Sequence, residues 1–592
     1  MAAVSAFKVS SVASGGDKIP SISSLVDEPA PLSVMERAIW TEAGENSILP
    51  GSCPARILNS RMENSLRSMP TGGRFWLSWK AEAERTDDRA RKRMAMGTID
   101  RFTRTPPGYC IVLYRWKNRL PTPHFDSMLC CMNTILIRDG LLVESDRSWK
   151  SDLLIEGEKI VRIAPRIGLD EVPADTEVVE ADGLCVMPGL IDAHTHYHLV
   201  SRGTVTADSF VEGSKLAAFG GVTTVIDFAD HDKTRPLADS AKARIEAMSK
   251  GMAIDFALHQ GVYGMHGGIE AELQDLVKLG VTTIKIFTTY KNVGYLIEMD
   301  GLRELFSACK RCNIMVSAHC EDDALIEETN ANHTGGHTPA DHAILRPAEA
   351  EYRAIKYLGS LAGEVGMPLY VVHLSSARGL DAVRELRGAG IQVLVETTPH
   401  YLLLDASRLA GPEGPLYVMT PPLRTEEDNR ILQDALVAKE FQVVATDHCS
   451  FTRAQKLASD DCRTIFPGIP GTEEMLPLIH TFAVASSRLS LSQLVRLLST
   501  TPAKTFGLYP RKGSLQVGSD ADIVLFDPEC MWTLDGSSVH SAAGYTPYEG
   551  FKVAGKAIMT YLRGRLIMGD DVYLGKPGEG KFLAAGTPSA YL

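Results

Sequence analysis

Long apolar runs are missing from this sequence: no stretch approaches the roughly 20 consecutive apolar residues that a membrane-spanning helix needs. Cysteines are scarce, at 11 in 592 residues, which is too few for a disulfide scaffold and favours a reducing, cytoplasmic location. Positive charge is not in excess, and the net charge of −12 argues against a nucleic-acid partner. No continuous apolar stretch opens the chain, so a secretory signal is not expected. We therefore predict a soluble protein with neither membrane nor nucleic-acid partners.

The first 127 residues differ in character from the rest. They contain pieces rich in serine, proline and glycine, such as residues 10–24, and a basic cluster at residues 89–93. A transit peptide is poor in acidic residues, whereas Asp27 and Glu28 come early here. We predict that residues 1–127 form a poorly ordered extension.

Short β runs flank a long middle region. Residues 134–143 and 151–163 are broken by Asp139-Gly140 and Glu156-Gly157, which predicts antiparallel hairpins. The same pattern returns between residues 518 and 567. We predict a small β-sandwich domain built from both flanks, residues 128–185 and 506–575, followed by a C-terminal tail at 576–592.

The middle region, residues 186–505, alternates apolar β runs with amphipathic helical stretches. The predicted strands are residues 186–191, 222–228, 253–262, 282–287, 314–319, 369–373, 393–397 and 443–445. Such α/β alternation predicts a (β/α)₈ TIM-like barrel. The alternative, a doubly wound open sheet, would show a glycine-rich phosphate turn after its first strand. This chain has His-Thr-His there, which favours the barrel.

Metal-ligand residue types stand at the ends of several predicted strands. His194 and His196 are spaced i and i+2, which puts both imidazoles on one face of an extended strand. In a (β/α)₈ barrel the carboxyl ends of the strands meet at one face, where the chemistry occurs. The other strand-end candidates are Lys285, His319, His373 and Asp447. This combination predicts a metal site, for which imidazole and carboxylate ligands suit zinc.

Six segments carry a resemblance to a known family. They are PGLIDAHTH at 188–196, IKIFTTYK at 284–291, SAHCED at 317–322, VHLSS at 372–376, ATDHCS at 445–450 and YPRKG at 509–513. In order and spacing they resemble the dihydropyrimidinase and D-hydantoinase branch of the cyclic amidohydrolases. The resemblance extends over about residues 132–575 and does not reach the first 127.

The resemblance implies a binuclear zinc centre. His194, His196 and Asp447 would bind one ion, while His319 and His373 would bind the other. Lys285 would bridge both ions after carboxylation, because an ammonium group has no lone pair to offer. A hydroxide bridging the ions would attack the carbonyl of a cyclic amide or imide. Asp447 would carry the proton to the leaving nitrogen.

The resemblance also implies substrate contacts and an assembly. Tyr290, five residues after Lys285, would donate a hydrogen bond to the tetrahedral oxyanion. Backbone groups near Thr398 and Pro470 would hold the amide edge of the ring, although a proline has no N–H to donate. His198 would be either a substrate contact or a more remote supporting group. Related enzymes are tetramers, so a homotetramer is expected.

Three functions stay open at this point. A zinc-dependent hydrolase of a dihydropyrimidine, hydantoin or similar ring is the prediction. A non-catalytic scaffold like the collapsin-response mediators would keep the fold and lose metal ligands, whereas all the ligand types are present here. The third is a hydrolase of another cyclic amide such as allantoin, although allantoinases read Asp-Met-Pro where this chain has Asp227-Phe-Ala. The sequence does not identify the ring, its substituent or its stereochemistry.

Overall fold

The computed structural model describes residues 134–265 and 268–589. The predicted extension, residues 1–127, lies outside this part of the chain. In chain order the strands are β1 Thr134–Val143, β2 Ser148–Glu156, β3 Lys159–Ala164, β4 Glu177–Glu180, β5 Cys185–Pro188, β6 Leu190–Thr195, β7 Val200–Ser201, β8 Thr204–Val205, β9 Val222–Ala229, β10 Asp255–Gly261, β11 Thr283–Phe287, β12 Met315–His319, β13 Leu369–Val371, β14 Val393–Thr397, β15 Val443–Val444, β16 Ile523–Thr533, β17 Lys552–Leu562, β18 Arg565–Gly569 and β19 Val572–Tyr573.

Eight parallel strands form the barrel, in the order β6, β9, β10, β11, β12, β13, β14 and β15. A parallel bridge between Thr195 and His448 links the first strand to the segment that follows the eighth, so the sheet nearly closes on itself. Because the barrel strands are buried on both faces, they read in the sequence as continuous apolar runs. The predicted (β/α)₈ barrel is confirmed.

Helices connect the barrel strands and cover their outer face. The helix Met299–Cys312 shows why they form, because Leu302, Leu305, Phe306 and Cys309 recur on one face and are buried. The α-helices are Phe210–Phe219, Leu237–Gly251, Ile269–Leu279, Met299–Cys312, Asp323–Asn332, His342–Leu345, Ala348–Val365, Ala377–Gly388, Pro399–Leu403, Glu426–Val437, Arg453–Lys456, Met475–Ile479, Leu491–Val495 and Thr501–Thr505. The short 3₁₀-helices are Lys291–Val293, Pro339–Asp341, Ala406–Leu409 and Gly414–Tyr417. The π-helical segments are His480–Ala485 and Arg496–Thr500.

The predicted first barrel strand, residues 186–191, is wrong as a single strand. β5 belongs to the flanking sheet and β6 to the barrel, and the chain passes from one to the other at Gly189. A Cβ on Gly189 would lie 2.1 Å from Oγ1 of Thr223, so only glycine allows this close approach. The apolar run is continuous through both strands and therefore did not reveal the change of sheet. The division into domains stays a proposal. The strand bounds move the predicted border between the flanking sheet and the barrel from residues 185/186 to Gly189.

The flanking sheet has nine strands, drawn from both ends of the described chain. Its order is β19, β18, β17, β16, β5, β1, β2 and β3, with β4 also paired to β1. A separate cluster of buried side chains, including Ile137, Ile155, Leu525 and Tyr561, forms its core. The predicted sheet built from both flanks is confirmed, while its bounds as a separate domain stay a proposal.

One predicted turn of this sheet is wrong. Asp139-Gly140 lies within the continuous strand β1, where the pairing with β2 shifts register between Ile137 and Gly140. Asp139 has a positive φ of 56°, so the pair forms an irregularity in the strand instead of a hairpin turn. The second predicted turn, at Glu156-Gly157, does join β2 to β3.

The C-terminal segment is more than the tail that the sequence predicted. The N–H of Phe256 donates to the carbonyl of Lys581 (3.0 Å), and the N–H of Leu583 donates to the carbonyl of Phe256 (2.8 Å). Leu583 is fully buried in the cluster that fills the barrel interior, with Ala193 and Ala257. Residues 581–583 therefore complete the core beside β10.

Within residues 134–265 and 268–589 no helix combines the length and the apolar character that crossing a membrane requires.

Candidate active site

A cavity of about 250 Å³ opens at the carboxyl ends of the barrel strands. The structure brings all the predicted metal ligands into its lining, namely His194, His196, Lys285, His319, His373 and Asp447. They come from β6, β11 and β12, and from the segments that follow β6, β13 and β15. Parallel strands in a barrel place their carboxyl ends side by side, which explains how residues so distant in sequence meet.

His194, His196 and Asp447 form the tightest group. Oδ1 of Asp447 lies 3.1 Å from Nε2 of His194 and 3.2 Å from Nε2 of His196. Candidate ligand atoms of these side chains lie within 4.8 Å of one another. Burial opposes ionisation of Asp447, but the imidazoles of His194 and His196 hold the pKa of its carboxyl well below the usual range. The group therefore offers two ring nitrogens and an ionised carboxylate to a cation.

His319 and His373 form a second pair beside the first group. Nδ1 of His319 lies 3.1 Å from Nε2 of His373, while Nε2 of His319 is held by Glu321 at 2.7 Å. Burial lowers the pKa of both imidazoles, for His373 well below its usual value. A neutral imidazole is the form in which histidine binds a metal, and Glu321 additionally fixes the orientation of the His319 ring.

Lys285 is a buried amine without a polar partner of its own. The residue is 2% exposed, and its Nζ lies 5.2 Å from the ring centroid of Phe228 and 5.3 Å from that of Phe287. Among the described residues it makes no hydrogen bond or ion pair. Burial lowers its pKa to about 8, against the pull of Asp447 and Glu396. An ammonium group in such surroundings is costly, which favours a neutral or modified lysine.

Two buried glutamates support the ligands, and the sequence analysis missed both. Oε1 of Glu396 lies 2.8 Å from Nδ1 of His194 and accepts from the backbone N–H of His373 (3.1 Å). Glu321 holds His319 and accepts from the guanidinium of Arg346. An acidic residue at the end of a buried strand is the signal that could have found Glu396. That signal alone does not separate a ligand from a supporting group.

Glu396→Gln is expected to lower metal affinity by about 10- to 100-fold, the usual effect of losing a carboxylate behind a histidine ligand. The reason is that Glu396 fixes the orientation of His194, and the amide carries no charge. Titration of metal-free protein with zinc would measure the change. Glu385→Gln is the matched control, because Glu385 pairs with Lys356 at the surface. Equal zinc affinity in the Glu396 variant and the wild type would contradict this role.

Three residues that line the cavity have a positive backbone φ, which is unusual for residues other than glycine. Tyr290, His373 and Asp447 have φ values of 66°, 37° and 50°. Such left-handed conformations cost about 1–3 kcal/mol each and persist where the surroundings impose them. Their clustering at one cavity indicates that the fold aims these side chains there.

Of the predicted substrate contacts Tyr290, Thr398 and His198, only Tyr290 lines the cavity. Tyr290 lines the cavity, its ring centroid 5.6 Å from that of His319, and burial raises the pKa of its hydroxyl, which therefore stays protonated. Thr398 is fully buried behind the cavity lining. His198 is exposed outside the cavity, with its ring against Phe210 at 5.3 Å between centroids. We therefore remove His198 from the predicted substrate contacts.

Pro470 also lies outside the cavity lining. The residues of its loop that do face the cavity are Pro467, Gly468 and Ile469. The next residue, Gly471, donates its N–H to Nδ1 of His448 at 3.1 Å, which turns this part of the loop toward the interior. The loop has two prolines three positions apart. Pro467 lines the cavity, whereas Pro470, the residue predicted from the sequence, is buried and does not line it.

The side chains His194, His196 and Asp447 fit a divalent cation. With Nδ1 of His194 held by Glu396, its Nε2 faces an oxygen of Asp447, and two acceptor atoms at 3.1 Å repel unless a proton or a cation lies between them. Burial disfavours a charged His194, but Asp447 and Glu396 outweigh it and raise its pKa to about 9. A proton and a metal ion thus compete for the same lone pair. Imidazole and carboxylate donors in this number suit zinc or a similar ion.

The fold and this site define the class of the protein. The amidohydrolase family matches residues 185–567, which is more than half of the chain. The chain therefore belongs to the amidohydrolase family, and it is an enzyme of that type.

Individual relatives narrow the class. A D-hydantoinase of Ralstonia pickettii is 38% identical over 455 residues, covering 76% of this chain and 98% of that protein. A D-phenylhydantoinase of Escherichia coli O1:K1 is 35% identical over 460 residues, covering 76% and 97%. The crystal structure of a dihydropyrimidinase from Brevibacillus agri NCHU1002 matches with a TM-score of 0.73 at 34% identity, over 77% of this chain and 99% of that chain. The resemblance stated from the motifs is confirmed: within the family, this chain belongs to the dihydropyrimidinase and D-hydantoinase branch of cyclic amidohydrolases.

Proposed function

We propose that this enzyme hydrolyses the amide bond of a dihydropyrimidine, a hydantoin or a similar ring. The observation that carries the proposal is the joint presence, in one cavity at the carboxyl ends of the barrel strands, of His194, His196, His319, His373, Lys285 and Asp447. The similarity to D-hydantoinases and a dihydropyrimidinase supports this choice of ring. A non-catalytic scaffold would have no use for this complete set of ligand types.

The site would hold two zinc ions. His194, His196 and Asp447 would bind one ion, and His319 and His373 the other, in line with the distances within each group. Lys285 would bridge them as a carbamate, formed when its neutral amine adds to CO₂ and releases a proton. The absence of a polar partner for Nζ among the described residues supports this modification. When bound, such ions lower the pKa of water and polarise a carbonyl group.

The protein side chains would do the remaining work. Asp447, ionised and beside the imidazoles, would accept a proton from the attacking water and return it to the leaving ring nitrogen. The hydroxyl of Tyr290 would donate to the carbonyl oxygen as negative charge develops there. Its raised pKa keeps the proton needed for that donation.

The wall formed by residues 467–469 would contact the amide edge of the ring. The backbone contact to the amide edge, predicted from the sequence at Pro470, is assigned instead to Pro467, because Pro467 lines the cavity. Its backbone offers a carbonyl but no N–H. A ring that needs a donor from this position would have to use a water molecule instead. Thr398 stays a proposed backbone contact, because it is two residues before His400, which lines the cavity.

Pro467→Asn is expected to raise kcat/KM on dihydrouracil by about three- to tenfold, because one neutral hydrogen bond contributes about 0.5–1.5 kcal/mol. The wild type is expected to prefer a substituted hydantoin or another cyclic imide. Pro470→Asn is the matched control in the same loop, and it is expected to leave the ratio of the two substrates unchanged. An equal change of kcat/KM on all rings in the Pro467 variant would mean that residues 467–469 do not contact the amide edge.

The assembly and location stay proposals. A homotetramer is proposed from the resemblance to the branch, and light scattering would test it. The described cysteines, such as Cys309 and Cys320, are all free thiols, which supports a reducing compartment such as the cytoplasm. Dihydropyrimidine opening would place the enzyme in pyrimidine catabolism.

A substrate panel with metal analysis tests the proposed function. Purified protein would be assayed with dihydrouracil, 5-substituted hydantoins, dihydroorotate and allantoin, and its metal content measured in parallel. Zinc near two ions per chain and opening of a dihydropyrimidine or hydantoin ring are expected. Metal-free protein without activity on any ring would favour a scaffold, and activity on allantoin alone would replace the proposed ring.

A further inference from the structure

A second buried lysine, Lys456, lies outside the metal-ligand set. It ends the short helix Arg453–Lys456 and is 0% exposed. Its Nζ donates to the carbonyl oxygens of Val418 (2.5 Å), Phe466 (2.8 Å) and Gly468 (3.0 Å). The three donors of one ammonium group are thus all used by backbone carbonyls, and no carboxylate of the described residues pairs with it. Burial lowers the pKa of Lys456 to about 7, because the charged ammonium group is removed from water.

The three carbonyl groups belong to two segments of the cavity wall. Gly468 lines the cavity itself, and Phe466 precedes Pro467, which also lines it. Val418 precedes Met419 and Thr420, which line the cavity as well. Lys456 therefore joins, through a single atom, two separate segments that line the cavity.

The same wall is tied to the catalytic side of the site. The N–H of Gly468 donates to the carbonyl of Val418 (3.0 Å), and the N–H of Cys449 donates to the carbonyl of Ile469 (3.0 Å). Cys449 is two residues after Asp447. A Cβ on Gly468 would lie 2.3 Å from the carbonyl oxygen of Cys449, so this contact is close. A shift of residues 466–468 would therefore change the distance between the ring contacts and Asp447.

The helix that carries Lys456 is itself anchored. Gln455 caps its start together with Thr452 and also donates to Oγ1 of Thr204, in strand β8. The N–H of Arg453 donates to the carbonyl of Ala543 (2.9 Å). The ammonium group is thus presented to the wall from a fixed support.

We propose that Lys456 is a positioning residue that sets the substrate preference of this enzyme, by holding residues 418–420 and 466–468 where they contact the amide edge of the ring. The inference rests on the proposed function and adds the residue that determines how the ring is held. Lys456 touches neither the substrate nor the metal ligands, so its loss acts on ring binding and leaves the metal site intact. Only a side chain with three donors at this reach can hold all three carbonyl groups together.

The test compares Lys456→Met with the wild type on the best hydantoin and on dihydrouracil, with metal content measured for each protein. Methionine keeps the length and the apolar stem and removes the donors. The expected result is a rise in KM of about tenfold, a kcat within about threefold, unchanged metal content and an altered ratio of kcat/KM between the two rings. Thr452→Ala is the matched control, because it weakens the start of the same helix and leaves the ammonium in place; its KM and ring ratio are expected to stay unchanged.

Lys456→Gln, which keeps a polar side chain with fewer donors, is expected to fall between the wild type and Lys456→Met. If Lys456→Met does not fold, KM and the ring ratio of Lys456→Gln test the proposal instead. An unchanged KM and ring ratio in a folded variant would overturn the proposal, as would equal changes in Thr452→Ala. Failure of both Lys456 variants to fold would leave the lysine a purely structural role and overturn it too. A wild type that opens no ring would instead reject the proposed function on which the inference rests.

Discussion

Lys285→Ala is expected to abolish ring hydrolysis and to lose most of the bound metal. A change behind a ligand costs about 10- to 100-fold in affinity or activity, and removal of a bridging ligand is expected to exceed that range. Lys285 is 2% exposed and lines the cavity with the candidate ligands, and Asp447 is the only carboxylate among the described lining residues that could replace the proposed bridge. Metal analysis and turnover of the purified variant would measure both losses.

Chemical rescue makes this expectation specific. A short-chain carboxylic acid such as propionate is expected to restore part of the metal content and activity of Lys285→Ala, because it supplies the two oxygens of the missing carbamate. Lys250→Ala, at an exposed lysine paired with Glu246, is the control for the loss of a lysine elsewhere. An active, fully metallated wild type whose crystal structure shows a plain Lys285 amine would contradict the proposed bridge.

His194→Ala and His373→Ala are each expected to reduce the zinc content from two ions toward about one per chain and to lower kcat/KM by more than about a hundredfold. Each substitution removes an imidazole from a different group of ligands, and the neighbouring glutamates Glu396 and Glu321 are already engaged with histidine rings. Zinc analysis after gel filtration, together with initial rates, would measure the effect.

His333→Ala is the matched control for these variants. The ring of His333 interacts with the carbonyl of Gly336 in a loop outside the cavity lining. Its loss is expected to leave metal content and rate unchanged. Full metal content and rate in either ligand variant would show that the zinc ligands have been assigned wrongly.

The positions of the metal-ligand candidates could be read from the sequence because each one follows an apolar strand. His319 and Asp447, for example, come at or just after short buried runs, and the barrel fold then requires their side chains to converge. The hydrophobic periodicity also predicted amphipathic helices between the strands, and the helix Ile269–Leu279 has such a buried face, with Leu273 and Leu276.

Other features could not be read because they depend on packing between distant segments. The single apolar run through Gly189 serves two sheets, and only the contact with Thr223 shows where it divides. The choice between Pro467 and Pro470 depends on the bond from Gly471 to His448. His198 closely follows the candidate metal ligands, yet its ring lies against Phe210 and not in the cavity lining. Glu396 supports a histidine 202 positions away in the sequence.

Hydrolysis in water labelled with ¹⁸O tests the central claim most directly. Purified protein with its metal would be incubated with a 5-substituted hydantoin in labelled water, and the product examined by mass spectrometry with and without prior removal of metal by a chelator. The predicted result is an N-carbamoyl amino acid that carries one ¹⁸O in its new carboxylate, formed only by the metal-loaded protein. No labelled ring-opened product from this substrate or from dihydrouracil, or equal formation by the metal-free protein, would contradict a metal-dependent cyclic amide hydrolase.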